Sequence, residues 1–553
     1  MKSQYPIEVT NLMTKGIKGF NLCAFLIGLE GWRRGLKLKY YGDINEYSDI
    51  RVQGRSKKLI GRSYSLESTD KIHYFNQSRG DKVSNDTVKI VQSKQKTKEF
   101  LKKSNVPILE SIEFRKSNSN EEVIEAANQI GYPVIIKPTY GSLSRGVSLN
   151  IKNDDELAKA LSHVRGKLGY KRIILEKYFM GDDIRLYVIE DKVVASLKRL
   201  PARVKGDGIN TIKELIQQKN ESRKGNPYLE ARPIKIDDEV YKALEREGYT
   251  INDILEKDKT ILVKNKSTMD QGVELYDITD QLPSNIKQIG INALKSFPNI
   301  VHGSIDMLFD GKEAVVLEIN ASANISMHMF PNEGTPRNIG AYLMDFYFPE
   351  TKGKSEIHYN MYFDFLDIVE VLKKNYTNYI EVKSLPHTNI HAKRYIVSGK
   401  VQKVGFRKWI RREAIRANLH GYTQNLANDK VEVVVANEDM KKVNAFQKKC
   451  GEGPKKAKVE TVESYNWEDG IKVGFEIVSE ASTDRKSNND TENPKDSKRE
   501  LIEMNNQLRN EIKILQRENK LYKQKYETIE KNIEWIIVKP VKKIVSAIRK
   551  NKK

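Results

Sequence analysis

Two cysteines, Cys23 and Cys450, are all that 553 residues contain, and they lie far apart with no metal-ligand spacing around either. A disulfide framework and a cysteine-based zinc site are excluded on that ground, and two buried thiols are the expectation. Long apolar runs are absent as well. The stretch MKSQYPIEVTNLMTKG has no apolar core of signal-peptide type, and nothing later approaches the roughly 20 apolar residues that span a bilayer. A cytoplasmic enzyme is therefore expected. Signatures of nucleic-acid modules are missing too. The net charge of +22 is spread along the chain rather than gathered into one face, which suits phosphate-handling sites on a lysine-rich background better than a nucleic-acid partner.

The hydrophobic content of 39% over this length exceeds what one core holds and implies about three or four folding units. Residues 1–90 mix a helical stretch ending near GWRRG with strand-like runs, LKLKYY and KIHYF. Strands then alternate with helices over 91–350, a connecting segment containing Pro386 covers 351–390, and a second unit covers 391–479. Residues 480–497 are nearly free of apolar side chains and read as a disordered linker. Over 498–533, Leu501, Leu508, Leu515, Tyr522 and Ile529 recur every seven residues, interleaved with Asn505, Ile512, Asn519, Tyr526 and Ile533. Asparagine at a heptad seam favours a parallel two-stranded coiled coil and hence a homodimer; a single amphipathic helix packed on its own protein is the other reading. The last segment, 534–553, places Ile537, Val541, Ile544 and Ile548 at helical spacing among lysines. Such a basic amphipathic helix suits either peripheral contact with an anionic membrane surface, here the inner face, or docking on protein.

Candidate chemistry begins at YPVIIKPTYGSLSRGV, an apolar strand carrying Lys137 into a Gly/Ser loop, where an ammonium and close backbone amides can meet nucleotide phosphates. In IILEKYFMGDDIRLYVI, backbone groups at Glu176 and Lys177 can meet an adenine edge, and Asp183 can accept from ribose hydroxyls. HGSIDMLF and VVLEINASANISMH put Asp306, Glu318 and Asn320 on neighbouring strands. Oxygen ligands at i and i+2 of a strand share a face and can hold magnesium between ATP phosphates.

These segments resemble the ATP-grasp superfamily, and with RVKGDGINTIKELI and MHMFPNEGTPR they are similar to the ligase modules of cyanophycin synthetases and bifunctional glutathione-forming ligases, over about residues 90–350. The resemblance implies ATP and Mg2+, and a carboxylate converted to an acyl phosphate that an amine attacks. It assigns Lys94 and Lys137 to phosphates, Glu176 and Asp183 to adenosine, and Asp306, Glu318 and Asn320 to metal, with Arg185 and Arg199 facing the transferring phosphate or an acidic substrate. Ser142 and Ser144 stand in the phosphate loop where relatives often carry glycine or another small residue.

Residues 391–479 read as a ferredoxin-like βαββαβ order with a final strand near KVGFEIV. GKVQKVGFR forms a turn into a helix N-terminus, a natural anion cradle completed by the Arg407 guanidinium. HGYTQN ends a strand on Asn425, whose amide can orient water for in-line attack. With GEGP these resemble the acylphosphatase family, in which the arginine binds an acyl phosphate and the asparagine positions water without metal. Lys403 stands where that family usually has glycine. The leading expectation is a multidomain α/β and α+β enzyme that hydrolyses acyl phosphates and carries a carboxylate-amine ligase module in one chain. An acylphosphatase with a nucleotide-binding but non-ligating partner module, or a catalytically inactive dimeric scaffold, are the competing readings.

Overall fold

The computed structural model describes residues 9–52, 59–139, 146–264, 272–354, 360–385 and 388–478. The loop residues Ser142 and Ser144, Pro386, the linker, the heptad segment and the basic tail lie outside the described residues.

Helix Phe20–Arg33 is predominantly apolar and buried on nearly every side, as such a composition requires, with Glu30 and Arg33 among its buried residues. It lies on a sheet with strand order Tyr379–Glu381, Lys37–Tyr41, Ser63–Glu67, Ile72–Asn76 and Arg79–Gly80. Gly31 permits the close approach: a Cβ there would stand 2.6 Å from Leu66 Cδ1, and overpacking of that kind costs about 1–3 kcal/mol. The first strand of this sheet comes from the segment expected to be a connector. Phe365, Ile368, Val369 and Leu372, at i, i+3, i+4 and i+7 of helix Phe365–Lys373, are buried in the same core. An amphipathic helix and an edge strand therefore replace the linker, and residues 360–385 complete the N-terminal unit.

Two antiparallel sheets follow. One has the order Ser111–Phe114, Ile173–Lys177, Val134–Pro138, Ser148–Ile151, with helices Asn120–Ile130 and Asp154–Leu161 contributing to its core. The other has the order Glu274–Asp277, Lys192–Leu200, Asp182–Ile189, His302–Phe309, Ala314–Asn320. Helix Ser284–Lys295 packs Ile286, Ile291 and Leu294 against Ile184, Leu186, Val188 and Ile305 on one face of it; the opposite face buries Tyr187, Ile189 and Leu197 in the N-terminal core and carries polar groups beyond them. Residues 202–263 insert a two-stranded ribbon and helices Ile212–Arg223 and Asp238–Arg246 around their own small core.

From His391 the chain forms strand, helix, strand, strand, helix, strand, ending at Asn466, which is the expected order. Strand Phe475–Val478 then adds a fifth member, parallel to His420–Asn425, at the sheet edge. Helices Phe406–Arg416 and Met440–Glu452 cover one face through Phe406, Ile410, Val443 and Phe446. Contact with the N-terminal core is direct: Ile471–Lys472 pairs in parallel with Met361–Tyr362, Ile471 is fully buried, and the Lys472 ammonium lies 2.6 Å from Asp364.

Candidate functional site

Two clusters collect the residues singled out from the sequence. On the five-stranded sheet, antiparallel register sets Arg185 opposite Asp306 and Asp306 opposite Glu318. A bulge decides which way these side chains point. Ala314 and Val316 face the helix-covered core; strict alternation would send Glu318 and Asn320 there as well. The register shifts between Asp306 and Met307, so that Ile319 and Ala321 take the core positions and Glu318 and Asn320 turn to the polar face.

On that face the Arg185 guanidinium grips Asp306 through two bonds, Nε to Oδ1 at 2.5 Å and NH2 to Oδ2 at 2.6 Å. Arg199 donates to Asp183, with Nε 3.0 Å from Oδ1, and its NH2 is 3.5 Å from Asp306 Oδ1. The Asn320 amide donates to Asp306 Oδ2 at 3.5 Å. Burial would raise the Asp306 carboxyl, but the Arg185 and Arg199 charges outweigh it and hold it below its ordinary value. Glu318 shifts the opposite way. Crowding by protein and the Asp306 charge push its carboxyl up, and no described cation forms an ion pair with it.

The four-stranded sheet supplies a second charged group. Glu176, 2% exposed, lies between two lysines: Lys137 Nζ is 2.5 Å from its Oε2, and Lys98 also donates to it. Lys98 further donates to Ser111 Oγ at 2.7 Å. The desolvation of Glu176 is outweighed by both ammonium groups, which hold its carboxyl low. Lys94 is exposed at the first position of helix Lys94–Lys103, and its charge is felt at both Lys98 and Glu318. Lys94, Lys98 and Lys137 thus form one positive group in which Lys98 and Lys137 pair with Glu176 and the Lys94 charge reaches Glu318. Lys177 turns away and donates to the Gly131 and Tyr132 carbonyls at 2.7 and 3.2 Å.

In the C-terminal unit, strand His391–Lys400 runs into a loop that enters helix Phe406–Arg416 through Gly405, which is left-handed at φ +82°. The first-turn amides have no partner within the helix and face outward along its axis. Arg407 sits in that first turn, with NH1 3.3 Å from the Val478 carbonyl. Gln402 fastens the loop to the neighbouring hairpin by donating to the Leu426 and Lys430 carbonyls, both at 2.8 Å. That hairpin turns through Asn428 and Asp429, at φ +60° and +58°, which is the primed-turn geometry matched to strand twist. It thereby fixes Asn425, the last residue of strand His420–Asn425. Arg407 and Asn425 line one cavity of about 310 Å³, and the Asn425 Oδ1 is buried with no donor among the described residues.

Comparison with known proteins picks out two stretches of the chain. Residues 393–477 match the acylphosphatase family, and residues 93–198 match the ATP-binding domain of the carbamoyl-phosphate synthase L chain. Cyanophycin synthetase of Synechocystis sp. is 30% identical over 272 residues, covering 47% of this chain and 31% of the relative. The glutathione biosynthesis bifunctional protein GshAB of Pasteurella multocida is 27% identical over 301 residues, covering 52% of this chain and 39% of the relative. The chain joins a module similar to ATP-grasp ligases to a domain that matches the acylphosphatase family model. A crystal structure of a bifunctional glutathione synthetase from Pasteurella multocida has 25% identity, a TM-score of 0.43 and coverage of 52% of this chain and 41% of its own. The chain spans only about a third of the length of the cyanophycin synthetase it matches.

Within the ATP-grasp module, Lys94, Lys137, Glu176, Asp183 and Arg185 fall in the matched stretch, whereas Arg199, Asp306, Glu318 and Asn320 lie beyond it. Both residues of the acylphosphatase pair lie within its match. Among the described residues no group of three His, Cys, Asp or Glu gathers as a metal cluster. Asp306, Glu318 and Asn320 offer two carboxylates and an amide, hard oxygen ligands of the sort a divalent ion takes. Asp306 lies opposite Glu318 and within 3.5 Å of the Asn320 amide, so the donor types fit the divalent metal that the ATP-grasp resemblance implies. Among the described residues, no helix is long and apolar enough to cross a membrane.

Three participants escaped the sequence reading. Lys98 stands one helical turn after Lys94, at the i+4 spacing that puts both on one face. Gln402 sits inside GKVQKVGFR. His328 lies within MHMFPNEGTPR, 1% exposed, with both ring nitrogens lacking a partner among the described residues. Burial, with Arg185 and Arg199 nearby, pushes its pKa down to about 3, so the ring is neutral.

Proposed function

We propose that the acylphosphatase domain hydrolyses acyl phosphates to carboxylate and inorganic phosphate, in one chain with a module that activates a carboxylate with ATP and joins it to an amine. The observation that carries the hydrolase half is the Asn425 amide oxygen, buried and without a donor on the wall of the cavity that Arg407 also lines. Phosphate oxygens fit the first-turn amides and the Arg407 fork, which neutralise charge without covalent chemistry. Water donates a hydrogen bond to Asn425 Oδ1 and attacks phosphorus; the bond between phosphorus and the acyl oxygen breaks, the carboxylate departs with that electron pair, and both water hydrogens end on the inorganic phosphate, one of them passed to a phosphate oxygen. A carboxylate is a weak base, so no acid is needed to protonate it.

For the ligase half, Lys94, Lys98 and Lys137 suit the phosphates of ATP. A divalent ion, Mg2+ in this reading, held by Asp306, Glu318 and Asn320 would supply further charge neutralisation between those phosphates. Arg185 and Arg199 suit the transferring phosphoryl group. A carboxylate oxygen attacks the terminal phosphorus, ADP leaves, and an amine then displaces phosphate from the acyl carbon.

Phosphate release from acetyl or benzoyl phosphate tests the first half. The expected result is activity in the parent chain and its loss in Arg407→Ala; an inactive parent would overturn the reading. Amine-dependent ADP release with magnesium, screened over amino acids and peptides, tests the second half, and nucleotide binding without turnover would favour the non-ligating alternative.

A further inference from the structure

The acylphosphatase cavity holds more positive charge than one phosphate group requires. Its described lining is Val401, Gln402, Lys403, Gly405, Phe406, Arg407, Lys408, Asn425 and Ile477, in which every charged group is a cation. Arg407 and the helix amides already answer the phosphate. Lys403 and Lys408 remain, both exposed, and neither forms an ion pair with another described residue.

Lys403 is also held in an unfavourable backbone conformation. Its φ is +57°, in the left-handed region where a Cβ crowds the following carbonyl. Gly405, two residues on, takes the same region without that crowding. A long cationic side chain at a position better suited to glycine points to a use for the charge, because such strain collects where function requires it.

The leaving acyl group departs from the side of phosphorus opposite the water that Asn425 holds, so it extends away from Asn425 through the rest of the cavity. The cavity's apolar lining is Val401, Phe406 and Ile477, and its uncommitted charges are the two lysines. We propose that the domain is selective for acyl phosphates whose acyl group is a short apolar spacer ending in a second anionic group, a carboxylate above all. This rests on the hydrolase reading given above.

The test compares 4-carboxybenzoyl phosphate with 4-carbamoylbenzoyl phosphate, which match in size and differ in the distal charge. With the full chain at low ionic strength, kcat/KM is expected to favour the carboxylate by about threefold to fivefold, the scale of an exposed ion pair. Added salt should shrink that preference through screening. Lys403→Gly removes the charge and the backbone crowding together, so the variant keeps its fold. It should slow both substrates but lower the carboxylate-to-amide ratio towards one, and Lys403→Gly with Lys408→Ala should abolish the preference. Equal kcat/KM for the two substrates in the parent chain, or a ratio that Lys403→Gly leaves unchanged, would overturn the proposal while leaving the hydrolase assignment standing. Failure to hydrolyse either compound would instead remove the hydrolase reading itself.

Discussion

The ATP-grasp cluster and the acylphosphatase cradle both prepare for phosphate, but they hold their charges in opposite ways. In the first, most ionic groups already have partners: Arg185 with Asp306, Arg199 with Asp183, and Lys98 and Lys137 with Glu176. In the second, Arg407 is braced by one carbonyl, the Asn425 oxygen is unpartnered among the described residues, and the rim lysines stand free of described counter-charges. A site that must accept a nucleotide and a metal at once needs charges that would repel one another if left alone, and internal pairing keeps them tolerable until those ligands arrive. A site for one small anion can instead be preset by backbone amides and a single fork.

The contrast breaks first at Arg407. Arg407→Ala should lower kcat for acetyl phosphate by about three orders of magnitude, and Arg407→Lys should recover only part of the loss because it lacks the planar fork. Thermal stability of either variant should be close to that of the parent, since Arg407 holds only the Val478 carbonyl. Glu176 is expected to behave in the opposite manner. Glu176→Gln leaves two ammonium groups facing each other in a buried place and should cost about 3 kcal/mol in denaturant unfolding. Its pH dependence follows from the depressed carboxyl. The contribution is complete above the unfolded value of about 4.3 and is lost as pH falls through the lower folded value, so parent and variant should converge in acid.

Smaller effects sharpen the same comparison. Asn425→Ala should reduce kcat for acetyl phosphate by about a hundredfold with little change in KM, because the amide acts on water rather than on the phosphate. Glu318→Gln should raise the magnesium concentration needed for ADP formation by at least about tenfold. The raised carboxyl of Glu318 must lose its proton to bind the ion. Magnesium affinity of the parent should therefore weaken as pH falls through that raised value, and the variant should not share this dependence.

How much of this was legible depends on the reach of each interaction. The cradle could be read because its parts are local: a strand end, a turn, a helix start and a strand-terminal asparagine lie within 399–425. The shared face of Asp306, Glu318 and Asn320 was legible as a pattern but not in its cause, since the i, i+2 pattern at Glu318 and Asn320 reaches the polar side only through a bulge that the pattern does not announce. Glu176 was read for backbone groups at an adenine edge, and the pairing of its carboxylate with Lys98, 78 residues earlier in the chain, is a contact that no local pattern announces. The segment 351–390 read as a connector because its helix is short and its strand Tyr379–Glu381 has only three residues, and its pairing partner, Lys37–Tyr41, lies at the other end of the N-terminal unit.

The central claim is that water held by Asn425 attacks phosphorus in a cradle that needs no metal. Hydrolysis of acetyl phosphate by the full chain in 18O-labelled water with EDTA tests it directly. The expected outcome is undiminished turnover with one labelled oxygen in each inorganic phosphate and none in acetate. Label in the acetate, or turnover that stops when divalent ions are removed, would contradict it.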